Sequence, residues 1–242
     1  MEQARALYRE GRLTESIASL QAWLRDAPDD RRARSFLFEL LCFAGEFDRA
    51  RTQLTLLAED SNETRLGVAF YLAALTAETE RQAWYKANAI VAAPAEPEAL
   101  AVCGACNGNV FRGIQDLDPR LGENLEFLAA GRYHRIAFHN LARVEFFPPR
   151  KVRDLYWRLA TVQLSPDMDS TELDSILVPV LYPQSFLFED DVTRLGRATD
   201  FIASGSDLEI PYGQRIIAFG ESQIPILEIE SIEFESRTAF GV

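Results

Sequence analysis

Two stretches, EGRLTESIASL at residues 10–20 and GEFDRARTQL at residues 45–54, decide how the first third of this chain is read. Each sets a glycine ahead of a charged segment with regularly spaced apolar residues. These are Leu13, Ile17, Leu20 and Leu24 in the first copy, and Phe47, Ala50, Leu54 and Leu57 in the second. Spacing of three and four residues gathers apolar side chains on one face of a helix, and neither run is interrupted by proline. Gly11 and Gly45 lie 34 residues apart. At that offset Leu7 falls on Leu41, Leu13 on Phe47, Ser16 on Ala50 and Leu20 on Leu54.

A 34-residue period made of two helices resembles the tetratricopeptide repeat, in which small residues let helices cross closely and large ones fill a shared core. Gly11, Leu13, Ser16, Leu20 and Pro28 fall in order on its small, large, small, large and proline positions. The second copy keeps Leu37, Leu41, Gly45, Phe47, Ala50 and Leu54 but has Asn62 where proline is usual. A third unit from near Arg65 keeps Leu72 and Leu75, has Thr79 at the glycine position, and is expected to act as a capping helix. The alternative is an ordinary bundle of helical hairpins whose periodicity is accidental.

Charge is distributed unevenly. The formal charge is −12, and Lys+Arg against Asp+Glu runs 12 to 14 over residues 1–95 but 13 to 23 over residues 96–242. Nucleic acids and anionic membrane surfaces are held by clustered cations, so neither is an expected partner. The longest apolar stretch, VAFYLAAL at 68–75, is far short of a bilayer span, and MEQARALYRE lacks an apolar signal core. Three cysteines, Cys42, Cys103 and Cys106, are too few and odd in number for a disulfide framework. A cytoplasmic location is expected. Arginine makes up 23 of the 25 basic residues, and its planar, bidentate head suits protein recognition.

The pattern changes after APAEPEALAVCGACNGN at 93–109, where proline, glycine and alanine break the helical spacing. The expected division is a helical domain over 1–92, a linker over 93–109 and a β-rich domain over 110–242. Short β-branched and aromatic runs support the last: LEFLA, ARVEFF, SILVPVLY, RIIAFG and PILEIESIEF. In PILEIESIEF the alternation slips, which implies a strand that changes face through a bulge at Ser231. RKVRDLYW at 150–157 reads as a short helix. The fold class is thus α+β, helical hairpin repeats followed by a β-rich domain.

No catalytic, metal or cofactor constellation stands out. Cys103 and Cys106 lack the further ligands of a zinc site and the strand-to-helix context of a redox motif. DMDSTELD at 167–174 begins like a calcium loop but has Glu172 where glycine is needed and Val178 where a bidentate glutamate is needed. GESQI at 220–224 ends in isoleucine where a nucleophile elbow needs glycine. The competing hypothesis is an enzyme of unknown reaction, with a site in the β-rich half drawing on Asp116, Asp118, Arg120, Tyr133 and Asp200. A deep polar pocket gathering these side chains would favour it.

QDLDPRLGENLEFLAAGRY at 115–133, DLYW at 154–157, LVPVLYP at 177–183, RLGRATD at 194–200 and GQR at 213–215 occur in the order seen in the ImpE family, also called TagJ. The resemblance spans almost the whole chain and departs at CGAC. It implies a non-catalytic accessory protein of the bacterial type VI secretion system. Such a protein binds the N-terminal helix of the small sheath subunit TssB and links the sheath to the ClpV disassembly ATPase. Stacked helical hairpins offer a concave surface for an amphipathic helix. By resemblance to tetratricopeptide repeats, the groove-facing positions lie on the first helix of each pair. Tyr8 and Phe43 are the expected apolar anchors, and Arg9, Arg32 and Glu39 the orienting charges. The alternatives are that Tyr8 and Phe43 belong to the core between hairpins, or that exposed strand edges of the second half supply the surface.

Overall fold

A computed structural model of the chain describes residues 1–58, 62–88, 101–168, 171–204 and 208–235. The helices α1 (Glu2–Arg9), α2 (Leu13–Asp26), α3 (Arg31–Phe43) and α4 (Phe47–Leu57) form two antiparallel hairpins, followed by the long α5 (Asn62–Ala87). The core between them holds Leu13, Leu20, Leu37, Leu41, Ala50 and Leu54, which are the periodic positions of the sequence. Both repeat glycines terminate helices. The N–H of Gly11 donates to the Tyr8 carbonyl and that of Arg12 to Leu7; the N–H of Gly45 donates to Cys42 and that of Glu46 to Leu41. This paired closure satisfies the last carbonyls of a helix and needs a left-handed residue, here at φ +81° and +71°. The 34-residue interval therefore records where the first helix of each hairpin stops. Close crossing falls instead to Ser16, whose hydroxyl donates to the buried Ala4 carbonyl at 2.7 Å.

The third unit lacks that terminator. Thr79 occupies the glycine position, its hydroxyl donates back to the Leu75 carbonyl at 2.8 Å, and the helix continues to Ala87. The extra length carries Glu78, Arg81 and Tyr85 out of the helical layer and onto the β-rich half.

That half contains β1 (Cys103–Cys106), β2 (Asn109–Arg112), β3 (Ile114–Asp116), β4 (Asn124–Ala129), β5 (Arg132–Ala137), β6 (Leu141–Phe146), β7 (Trp157–Leu164) and β8 (Glu172–Pro179). There follow a single turn α6 (Asp191–Arg194), then β9 (Thr199–Ser204), β10 (Leu208–Gly213), β11 (Ile216–Phe219), β12 (Ser222–Pro225) and β13 (Ser231–Phe234). Among the described residues, eight strands form one antiparallel sheet in the order β2-β1-β13-β6-β7-β8-β4-β5. A smaller sheet runs β12-β11-β3, and β9 pairs with β10. The chain is α+β.

Three local expectations are corrected. CGAC is strand β1 and not part of a linker, so strand structure begins before residue 110; residues 93–100 lie outside the described residues. Gly104 is required there because an added Cβ would lie 2.0 Å from the Glu233 carbonyl oxygen on the paired strand. Cys103 and Cys106 are free thiols, and burial pushes Cys106 up to about 11, away from the reactive thiolate. PILEIESIEF is two elements and not one bulged strand. Its first residue closes β12, a 3-10 turn covers Ile226–Glu228, and β13 enters the larger sheet between β1 and β6. The change of face is a change of sheet, pinned by Asn107, whose side-chain oxygen accepts the N–H groups of Glu230 and Ser231 at 2.7 and 3.1 Å. Finally, RKVRDLYW forms only a 3-10 turn over Val152–Leu155 before Trp157 opens β7.

Candidate functional site

The first helices of the three units, α1, α3 and α5, line one side of a trough; the strap Pro148–Leu155 lines the other. At one end is a cavity of about 560 Å³ between Arg5, Tyr8, Arg32 and Glu39 on the helices and Lys151 and Arg153 on the strap. It continues into a space of about 420 Å³ where Ser35, Phe38, Val68 and Tyr71 join Arg32 and Arg153. Beyond Tyr71 a further recess of about 560 Å³ is walled by Phe70, Phe147, Pro148, Leu159 and Leu177. One end is therefore cationic and the other mainly apolar, although Arg150, Asp154 and Ser175 also line that recess.

Three of the five residues expected at a partner site meet here: Tyr8, Arg32 and Glu39. The Tyr8 ring is half-buried, edge-on to Phe36 at 5.7 Å and beneath the Arg197 guanidinium at 4.9 Å. Arg197 also donates to the carbonyls of Tyr8 and Arg9, at 2.6 and 2.9 Å, tying the end of α1 to the second half. Arg9 is not among the cavity's lining residues; its exposed head pairs with Glu2 at 3.3 Å. Phe43 is 1% exposed, with its ring edge-on to Tyr156 at 5.1 Å. As the chain is folded, Phe43 is a core residue joining the two halves and offers no surface to a partner.

The sequence reading missed the strap. Arg153 reaches across to Glu39 at 3.0 Å and lies over the Tyr71 ring at 4.6 Å. Burial raises the Glu39 carboxyl above its ordinary value, while Arg153 works in the opposite direction. The available signal was the triplet of Arg150, Lys151 and Arg153 after two prolines, the sharpest basic cluster in the acidic half.

Four of the five residues proposed for an enzyme site, Asp116, Asp118, Arg120 and Tyr133, do converge, but on the core. Asp116, Asp118 and Arg120 are 1–3% exposed. Asp118 holds Arg120 bidentately at 2.8 and 2.6 Å, and Asp116 accepts from Arg215 at 2.8 Å. Glu126 of β4 is the hub. It accepts from Arg81 at 2.9 Å, from Arg215, from the Tyr85 hydroxyl at 3.0 Å and from the Tyr133 hydroxyl at 2.9 Å. Arg81 in turn pairs with Glu78 at 2.9 Å, and Glu78 accepts the Trp157 indole N–H at 2.9 Å. Asp200 stands apart, accepting the Thr193 hydroxyl at 2.7 Å. This is a buried ionic joint between α5 and the sheets, with its carboxylates already engaged, rather than a pocket open to substrate.

The joint makes stability pH-dependent. It contains four carboxylates, Glu78, Glu126, Asp116 and Asp118, against three guanidiniums, Arg81, Arg120 and Arg215. Burial pushes Asp116 from its ordinary 3.8 up to about 6, against the opposing pull of Arg215. The folded state thus takes up a proton there before the unfolded chain does. Its contribution is fully present below about pH 4 and is lost as pH rises through about 6, a change of up to about 3 kcal/mol. Urea unfolding at pH 5 and pH 7 checks this. Relative to Asp116→Asn, the native chain should gain stability, or lose less, on going from pH 7 to pH 5. Equal changes in the two proteins would refute the assignment.

The α+β architecture, with helical hairpins followed by an antiparallel sheet, is matched in a solved structure. The sequence profile described as ImpE protein matches residues 108–233, slightly more than half of the chain. The chain belongs to the ImpE family. It is 28% identical to the type VI secretion system accessory component TagJ of Pseudomonas aeruginosa, over 98% of this chain and 92% of that one. An X-ray crystal structure of a Vibrio parahaemolyticus protein has the same fold, with a TM-score of 0.84 and 21% identity over 98% of this chain and 99% of its own. No helix among the described residues is long and apolar enough to cross a membrane.

Proposed function

We propose that this protein is a non-catalytic accessory component of a type VI secretion system that seats a partner helix in the trough between α1, α3, α5 and the strap. The reading rests on one observation: the trough runs along the first helices of the stacked hairpins, with Tyr8, Arg32 and Glu39 at one end and mainly apolar walls at the other. An amphipathic helix is about 10 Å across and buries one apolar face, which suits an open channel better than a closed pocket. Likeness to the accessory component TagJ supports the secretion-system context. The proposed occupant is the N-terminal helix of the sheath subunit TssB, held so that the ClpV ATPase can engage the sheath from the cytoplasm.

Titration of the purified protein with a TssB N-terminal peptide tests this by calorimetry. Saturable binding is expected, and Tyr8→Ala should weaken it about tenfold without unfolding the protein, because interface energy concentrates in a few anchors. No binding at high micromolar peptide, with the protein folded, would defeat the proposal.

A further inference from the structure

The trough is an island of positive charge on a chain of formal charge −12. Arg5, Arg32, Arg150, Lys151 and Arg153 line its first cavity against a single carboxylate, Glu39, which Arg153 already engages. Among the described residues, Arg5, Arg32, Arg150 and Lys151 form no ion pair. The nearby Asp154 forms no ion pair with them, its carboxylate accepting the backbone N–H groups of Arg150 and Lys151 at 2.8 Å each, and even with its charge counted the cluster is net positive. Elsewhere among the described residues the exposed Arg9, Arg12, Arg49, Arg132 and Arg143 are each paired with a glutamate, while Arg25, Arg65, Arg112 and Arg135 are not; what sets the trough apart is that its cations line one cavity together. Arg153 itself is committed within the fold, its Nη1 bound to Glu39 at 3.0 Å and its guanidinium over the Tyr71 ring, which leaves the other four cations to meet a partner.

We infer that the trough selects an acidic amphipathic helix: carboxylates on the helix's polar flank meet Arg5, Arg32, Arg150 and Lys151, and its apolar residues enter the recess of Phe70, Phe147, Leu159 and Leu177. The inference rests on the trough being the partner site. A helix presents residues i and i+4 on one side, so two or three acids at that spacing face α1, α3 and the strap together. The same cations exclude a basic helix through desolvated like-charge contacts and speed the approach of an acidic one. Nucleic acid and anionic membrane share the negative charge. However, a local cationic trough on a chain of net charge −12 lets a single helix approach while the overall charge repels an extended polyanion.

The test uses the full chain and two synthetic helical peptides with the same leucine and phenylalanine face, one carrying glutamates and the other lysines on the polar flank. Fluorescence anisotropy should show the glutamate peptide binding at least about tenfold tighter at low salt. Its affinity should fall about tenfold between about 50 and about 500 mM NaCl, as counter-ions screen the contacts. Arg32→Glu together with Lys151→Glu, both on exposed or half-exposed positions, should erase or reverse the preference while leaving the circular dichroism melt unchanged. Equal binding of both peptides would overturn the acidic selection and leave the trough as the site. Binding of neither would count against the site itself. Tighter binding of a single-stranded oligonucleotide or of phosphatidylserine vesicles than of the glutamate peptide would also overturn the inference.

Discussion

Glu126→Ala is expected to lower the unfolding free energy by about 3–5 kcal/mol, the usual cost of removing one partner from a buried charge network. The Glu126 carboxylate is inaccessible to solvent and is the common acceptor of Arg81, Arg215, Tyr85 and Tyr133. Its loss leaves two buried guanidiniums facing two carboxylates that are already engaged, Glu78 and Asp116, and strips two hydroxyls of their acceptor. Water cannot replace it without opening the packing of α5 on β4 and β5. Since α5 is the joint between the halves, the loss should appear as a lower midpoint in one shared urea transition, by both near-ultraviolet and far-ultraviolet signals. Glu126→Gln keeps the shape but not the charge and should fall between the two. A cost below about 1 kcal/mol for Glu126→Ala would mean that the joint is hydrated or that Glu126 is not its hub.

Phe43→Ala is expected to cost about 3–5 kcal/mol as well, for a different reason. The ring is buried at the end of α3 and packs on Tyr156, which leads into the buried Trp157 at 4.7 Å. Truncation leaves a cavity at the seam between the hairpins and the sheet, and the fixed backbone on both sides prevents its collapse. The decisive comparison is with Tyr8→Ala. Phe43→Ala should lower the denaturation midpoint, with peptide affinity retained when measured where the variant is folded. Tyr8→Ala should do the reverse. If Phe43→Ala leaves stability intact and abolishes peptide binding, the ring is an anchor and the packing described here is not that of the binding-competent protein.

The motifs that carried the family resemblance prove to be architectural. QDLDPRLGENLEF contributes Asp116, Asp118, Arg120 and Glu126; DLYW contributes the Tyr156 and Trp157 that receive Phe43 and Glu78; GQR supplies Arg215. RLGRATD contains Gly196, a helix terminator like Gly11 and Gly45, and the Arg197 that clamps α1. What these segments share is the maintenance of one fixed placement of hairpins against sheet. That placement also positions the strap across from α3 and so shapes the trough.

Read by itself, the chain left the role of Gly11 and Gly45 as helix terminators to emerge from the structure, but determined the paired helices and their 34-residue period, the β-rich second half and three residues that line the trough. These follow from local rules: apolar spacing of three and four residues selects a helix face, and a left-handed turn needs a glycine wherever it falls. Tertiary structure alone decided which charges meet. Arg81 and Glu126 are 45 residues apart, and Arg215 and Glu126 are 89 apart. It also decided that Phe43 faces the sheet, that Arg9 turns away, and that Arg150–Arg153 complete the trough. Pairing between distant charges is set by burial and by the dielectric that burial creates, and neither exists until the layers have closed on one another.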